Sequence, residues 1–145
     1  MSRGISMFQA HGWAVVTSET YETDDKADAE LLAAFTEQVG FVRTTNIKIH
    51  LDVGLNGDLH VLSVAGHGNH RCELVIDLFR WLAANSSGSY GLLYVLDDED
   101  FQRGDFTNEF RVWRLARGVL TEQADPFLTP FIPMVEDSFD PAQER

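Results

Sequence analysis

Between Asn46 and Asp52 polar and apolar residues alternate without a break, with Ile47, Ile49 and Leu51 on one side and Asn46, Lys48, His50 and Asp52 on the other. A period of two puts successive side chains on opposite faces of an extended chain, so this segment predicts an antiparallel strand buried on one face only. Gly54-Leu55-Asn56-Gly57 carries turn chemistry and Leu59 to Ala65 supplies a second apolar run. The two strands are therefore expected to pair as a hairpin, which Gly66 and Gly68 end. A sheet of this kind needs an apolar cover over its dry face.

Two helical stripes meet that need. Thr23 is placed to cap a helix over Asp24 to Val39, whose first turn carries Asp24 and Asp25, whose stripe is Leu31, Leu32, Phe35 and Val39, and whose stop is Gly40. Asn69 is expected to cap a second helix with Leu74, Val75, Leu78, Trp81 and Leu82 at helical spacing, closed by Ser86-Ser87-Gly88. Gly12 to Thr17 reads as a first strand, Tyr90 to Leu96 as a central strand covered on both faces, and Phe110 to Leu115 as a further strand. Arg117-Gly118 turns the chain into a short edge strand at Val119 and Leu120, whose open hydrogen bonds leave room for a homodimer. Beyond it Pro126, Pro130, Pro133 and Pro141 interrupt Phe127, Leu128, Phe131 and Ile132, which argues against a helix and for an extended arm. The predicted fold is α+β: a mainly antiparallel sheet with two helices, in the order β-α-β-β-α-β-β plus the edge strand and the Pro-rich arm. With 145 residues the chain is expected to form one domain, with 1–8 and 138–145 as flexible ends.

Charge narrows the class of partner. The formal net charge is −12, which disfavours a phosphate backbone as ligand because nucleic-acid binding needs neutralising cations. Eighteen of the 23 acids lie in three segments, Glu19 to Glu30, Asp97 to Glu109 and Glu122 to Glu144, which are either solvated loops or an anionic face for a basic protein. No stretch has the length of a signal-peptide core or a membrane span, so a cytoplasmic protein without a membrane partner is expected. The lone Cys72 forms no internal disulfide and is expected to act as a small apolar side chain inside the second helix.

Catalytic and metal motifs are weak. His67-Gly68-Asn69-His70 lacks the helical H-E-x-x-H context and reads as turn and cap chemistry, and His50 and His60 as structural histidines on strands. Asp97-Asp98-Glu99-Asp100 with Asp105 suggests a calcium loop, but Gln102 and Arg103 stand where a ligand and the turn glycine belong. Ser86, Ser87 and Ser89 surround Gly88 without forming a nucleophile elbow, and no phosphate-binding glycine loop occurs. No catalytic residue, cofactor or metal ligand is assigned, and the chain is read as a binding protein and not an enzyme.

Several short motifs occur in one order: His11-Gly12-Trp13, His67 to Arg71, Ser89-Tyr90-Gly91-Leu92-Leu93-Tyr94, Asp97-Asp98-Glu99-Asp100, Asn108-Glu109-Phe110-Arg111-Val112-Trp113 and Asp125-Pro126-Phe127-Leu128. In this the chain closely resembles the seventh immunity family of bacterial polymorphic toxin systems, from about Phe8 to Asp137 and most specifically between Ser89 and Pro133. The resemblance implies an immunity protein made beside a toxin, which it neutralises by binding, protecting the producing bacterium. It brings no established contact residues with it. From the residues themselves, Asp97, Asp98, Glu99, Asp100 and Asp105 are expected to supply a field that steers a basic toxin, with Phe101 and Phe106 as apolar anchors. The rival readings are a small metal-dependent hydrolase built on His67 and His70, and a general protein-interaction module unrelated to toxins.

Overall fold

The computed structural model describes residues 6–22, 24–45 and 48–143. Along the chain follow β1 (Phe8–Val16), α1 (Asp25–Thr45), β2 (Ile49–Asn56), β3 (Leu59–Gly68), α2 (Glu73–Asn85), β4 (Tyr90–Asp97), β5 (Phe110–Ala116), β6 (Val119–Ala124), the short α3 (Phe131–Met134) and a 3-10 turn at Pro141–Gln143. Among the described residues the strands form one six-stranded sheet in the order β2-β3-β1-β4-β5-β6, antiparallel at every pairing. The fold is α+β.

The period-two pattern decides which face each residue takes. Ala10, Ala14, Leu62, Val64, Ile49, Leu51, Leu93, Val95, Trp113 and Leu115 face the helices and join Phe35, Val39, Val75, Phe79 and Leu82 in one core. Fully burying a side chain such as Phe35 or Phe79 contributes roughly 1.5–3 kcal/mol against leaving it in water. The opposite face is open over much of its area: His11, Trp13, His50, Ser63, Ala65, His67 and Tyr90 are all exposed there. A second cluster of Leu96, Phe110 and Phe131 covers one end of that face, so β4 is covered on both sides only near Leu96 and not along its length.

The helices start and stop elsewhere than the local signals suggest. Asp24 caps α1, its Oδ1 accepting the Ala27 amide at 3.0 Å; the expected cap, Thr23, lies outside the described residues. The helix runs through Gly40 to Thr45, because Val42 extends the buried stripe of Leu31, Phe35 and Val39 by another turn and Arg43 donates from Nε to the Leu51 carbonyl at 3.1 Å. Interior glycine costs about 1 kcal/mol relative to alanine, less than burial of Val42 returns. Helix α2 starts after Cys72, not Asn69; Cys72 is the buried N-cap and not an interior residue, and no side chain caps that end.

The strands also outrun their expected ends. β3 continues through Gly66 to Gly68, and glycine at 66 is a packing requirement: a Cβ there would lie 2.6 Å from Ile49 Cδ1 and 2.7 Å from its Cα. The alternation is seen from Ile49 onward, while Asn46 and Ile47 lie outside the described residues; β2 runs on to Asn56, so the expected turn Gly54-Leu55-Asn56-Gly57 narrows to Gly57-Asp58, and β3 starts at Leu59 as expected. β1 begins at Phe8, which is fully buried and so does not belong to a flexible end. The β5–β6 turn at Arg117 and Gly118 has positive φ at both positions, 50° and 75°, as the twist of a two-residue hairpin requires. The Pro-rich segment is not wholly extended: α3 forms one turn around Phe131, with Ile132 out of helical geometry.

Two of the serines near Gly88, Ser86 and Ser89, are structural. Ser86 Oγ donates to the Thr17 carbonyl at 2.7 Å and the Thr17 amide donates to Ser89 Oγ at 3.2 Å, which ties the end of α2 to the end of β1.

Candidate functional site

The β4–β5 connection, residues 98–109, folds across the end of the sheet and is held there by arginines from several parts of the chain. Asp97 is 5% exposed; its Oδ1 accepts the Glu99 amide at 3.0 Å and its Oδ2 lies 3.4 Å from Arg71, which precedes α2. Asp100, 7% exposed, accepts from Arg103 Nε at 3.2 Å and Nη2 at 2.6 Å. Arg103 also binds Glu122 on β6, and Glu122 accepts from Arg111 Nε at 3.1 Å. The Phe106 ring, half-buried, lies between the guanidinium groups of Arg103 at 5.0 Å and Arg111 at 4.0 Å. These contacts clasp the loop to β5, β6 and the start of α2.

The titration behaviour follows from this packing. Burial alone would raise the Glu122 carboxyl, but hydrogen bonds from Arg103 and Arg111 and their positive charges outweigh it and hold it below the ordinary glutamate range. Glu73 behaves in the same way, raised by burial and lowered further by Arg71 and Arg80. The hydrogen bonds to Glu122 and Asp100 raise the already high pKa of Arg103, against its own partial burial. Glu122, Glu73 and Arg103 therefore stay ionised around neutral pH.

The seven residues expected at the site divide into two sets. Asp97 and Asp100 are inward and paired with arginines, Phe106 is half-buried between two of them, and Asp98 accepts the Met7 amide at 2.8 Å. Glu99, Phe101 and Asp105 face solvent, Phe101 at 67% exposure. Glu99 also accepts from His70 Nδ1 at 2.8 Å, which with the Ser6 hydrogen bond keeps its pKa below the ordinary value, so His70 belongs to this loop. The field expected from five loop carboxylates is thus partly neutralised from within, because Arg71 and Arg103 sit against two of them. A second acidic flank, Glu19, Glu22, Asp24 and Asp25, surrounds Tyr21, which is 93% exposed.

Sequence reasoning missed Arg71, Arg103, Arg111 and Glu122, which come from four separate segments and meet only in the fold. The one local trace is the arginine three residues after Asp100. The open face brings His11, His50 and His67 around Ala65, since His11 and His50 both stand opposite Ala65 on neighbouring strands. Among the described residues no three of His, Cys, Asp and Glu come close enough to hold a metal ion, so His67 and His70 have no assembled ligand set around them. Among the described residues no helix is long and apolar enough to cross a membrane.

No curated protein and no solved structure gives a significant match to the chain. The family model described as immunity protein 7 matches residues 7–137, which take in the whole sheet, both long helices and the clasped loop. The chain therefore belongs to the immunity protein 7 family.

Proposed function

We propose that this protein binds and neutralises one cognate toxin of a polymorphic toxin system in the cytoplasm of the producing cell, by occlusion and without catalysis. The observation that carries the reading is the family match over residues 7–137. Membership implies immunity against a toxin; occlusion as the means and the contact surface are our inference.

The 98–109 loop is the contact element we favour. Phe101 stands out from the surface between Glu99 and Asp105, and the arginine clasp beneath holds it in place. A pre-ordered apolar anchor binds at lower entropic cost than a mobile one, and flanking carboxylates accelerate encounter with a basic surface. Exposed pairs alone give roughly 0.2–1 kcal/mol each, so the anchor has to provide much of the affinity. The inward Asp97 and Asp100 support this geometry, with Asp98 and Phe106 packed beside them.

Replacing Glu99 and Asp105 by Lys is expected to slow association with the toxin domain and flatten its salt dependence, leaving the fold unchanged. Phe101→Ala is expected to speed dissociation. Unchanged kinetics in both variants would remove the loop from the interface and turn attention to the flank around Tyr21. A metal-dependent hydrolase would need a third ligand beside His67 and His70, and among the described residues no three such side chains come together.

A further inference from the structure

Asp125, at the end of β6, is 3% exposed and only partly satisfied. Its amide donates to the Phe110 carbonyl at 2.8 Å, and its Oδ2 accepts the Leu128 amide at 2.6 Å. Its Oδ1 is buried and has no hydrogen-bond partner among the described residues. Leaving a buried carboxylate oxygen without a donor is costly, and proteins keep few such groups. Asp125 also forms part of the wall of a cavity of about 430 Å³ between the open sheet face and the 125–128 turn. Tyr94 and Phe110 line it from the sheet, Phe127 and Leu128 from the turn, and the hydrogen-bonded pair Gln9 and His11 from β1.

We infer that this cavity is a receptor for one arginine side chain of a protein partner. The chemistry of the cavity selects that occupant. An acceptor-only oxygen needs a donor and a negative charge a positive one; Oδ1 has no surface open to solvent in this conformation, so a guanidinium in the cavity reaches it by displacing the 125–128 turn outward. The aromatic walls favour a flat, weakly hydrated cation that stacks on rings while donating to a carboxylate, which describes guanidinium better than ammonium. The arginine of β5 nearest in sequence to Phe110, Arg111, points to the helix side and is engaged with Glu109 and Glu122. A metal ion would need more ligands than the site assembles.

The surroundings point to a protein as the carrier. Phe127 is 70% exposed at the rim, and the open face continues from His11 and Tyr94 to Trp13 and Tyr90, whose exposed rings meet edge to face at 6.0 Å. A charged pocket beside solvent-facing aromatic side chains is the composition of a protein-binding hot spot. The inference rests on the immunity reading in taking the toxin as the protein that carries the arginine.

The test titrates the full chain with N-acetyl-arginine methylamide and, separately, with its neutral citrulline counterpart, following backbone amides by NMR. Saturable shifts at Gln9, His11, Phe110 and Leu128 are expected with the arginine probe, with affinity at least about tenfold weaker for citrulline and for Asp125→Asn, as loss of a charge-assisted pair implies. Phe127→Ala, at an exposed position, serves as a second variant that does not depend on the buried carboxylate and is expected to weaken the probe severalfold. No saturable shift, equal binding of the two probes, or unchanged binding in both variants overturns the receptor. Toxin titration separates the two readings. If the wild type binds toxin and Phe127→Ala binds it equally well, the assignment of this cavity to the toxin fails while immunity stands. If the arginine probe binds and the wild type binds no toxin, immunity fails and the receptor stands.

Discussion

Replacing Asp100 by alanine separates the clasp from the surface it supports. The Asp100 carboxylate accepts two hydrogen bonds from Arg103, at 3.2 and 2.6 Å, and is 7% exposed. A hydrogen bond to a charged group contributes roughly 1.5–3 kcal/mol. Arg103 keeps Glu122 and stays partly in contact with water, so the loss falls below the sum of about 3–6 kcal/mol for two such bonds, at about 2–3 kcal/mol. For a chain of this length that corresponds to a fall of about 6–12 °C in Tm. Asp105→Ala, with the same change of charge in an exposed position, is expected to stay within about 0.5 kcal/mol of the wild type. Thermal and urea unfolding of both variants measure the difference, and a double variant with Arg103→Ala should destabilise less than the sum of the two single changes. A Tm for Asp100→Ala within about 2 °C of the wild type would refute the clasp.

The arginines around Glu122 and Glu73 hold both carboxyls below the ordinary glutamate range, so their stabilisation is present above the unfolded value and is lost as pH falls through the folded pKa. Urea unfolding between neutral pH and pH 3 should show a decline that Glu122→Gln makes shallower; an identical slope in the variant would contradict it. Gly66→Ala is expected to cost about 1–3 kcal/mol in urea unfolding, because the new Cβ meets Ile49 backbone and side chain together. Trp13→Ala, on the open face, should alter toxin affinity more than it alters Tm, and the reverse ranking would make the Trp13 and Tyr90 pair a stabilising contact only.

Side-chain period made the sheet legible. The alternation at Ile49 and Leu51 and the apolar run at Tyr90 to Leu96 mark strands wherever they are read, because strand geometry is set by nearest neighbours in sequence. Element ends were less legible, since they are decided by contacts across the fold. Gly40 looks like a helix stop until Val42 is seen to have a place in the core, and Gly66 looks like a strand stop until Ile49 is seen beside it. The acidic loop was visible as composition, but composition does not tell an inward carboxylate from an outward one. Asp97 and Asp100 are turned inward by Arg71 and Arg103, and only Arg103 is near in sequence. Asp125 gave no local signal, because its unpartnered oxygen and the aromatic walls around it come from β1, β4, β5 and the 125–128 turn.

The central claim is that immunity is conferred by binding, and co-expression with the toxin domain encoded beside this gene, followed by titration of the purified pair, tests it most directly. Survival of the host together with a saturable stoichiometric complex is the predicted result. Survival without a complex would contradict occlusion and return an enzymatic reading, and failure to rescue against an active toxin, with the protein folded, would contradict immunity to that toxin altogether.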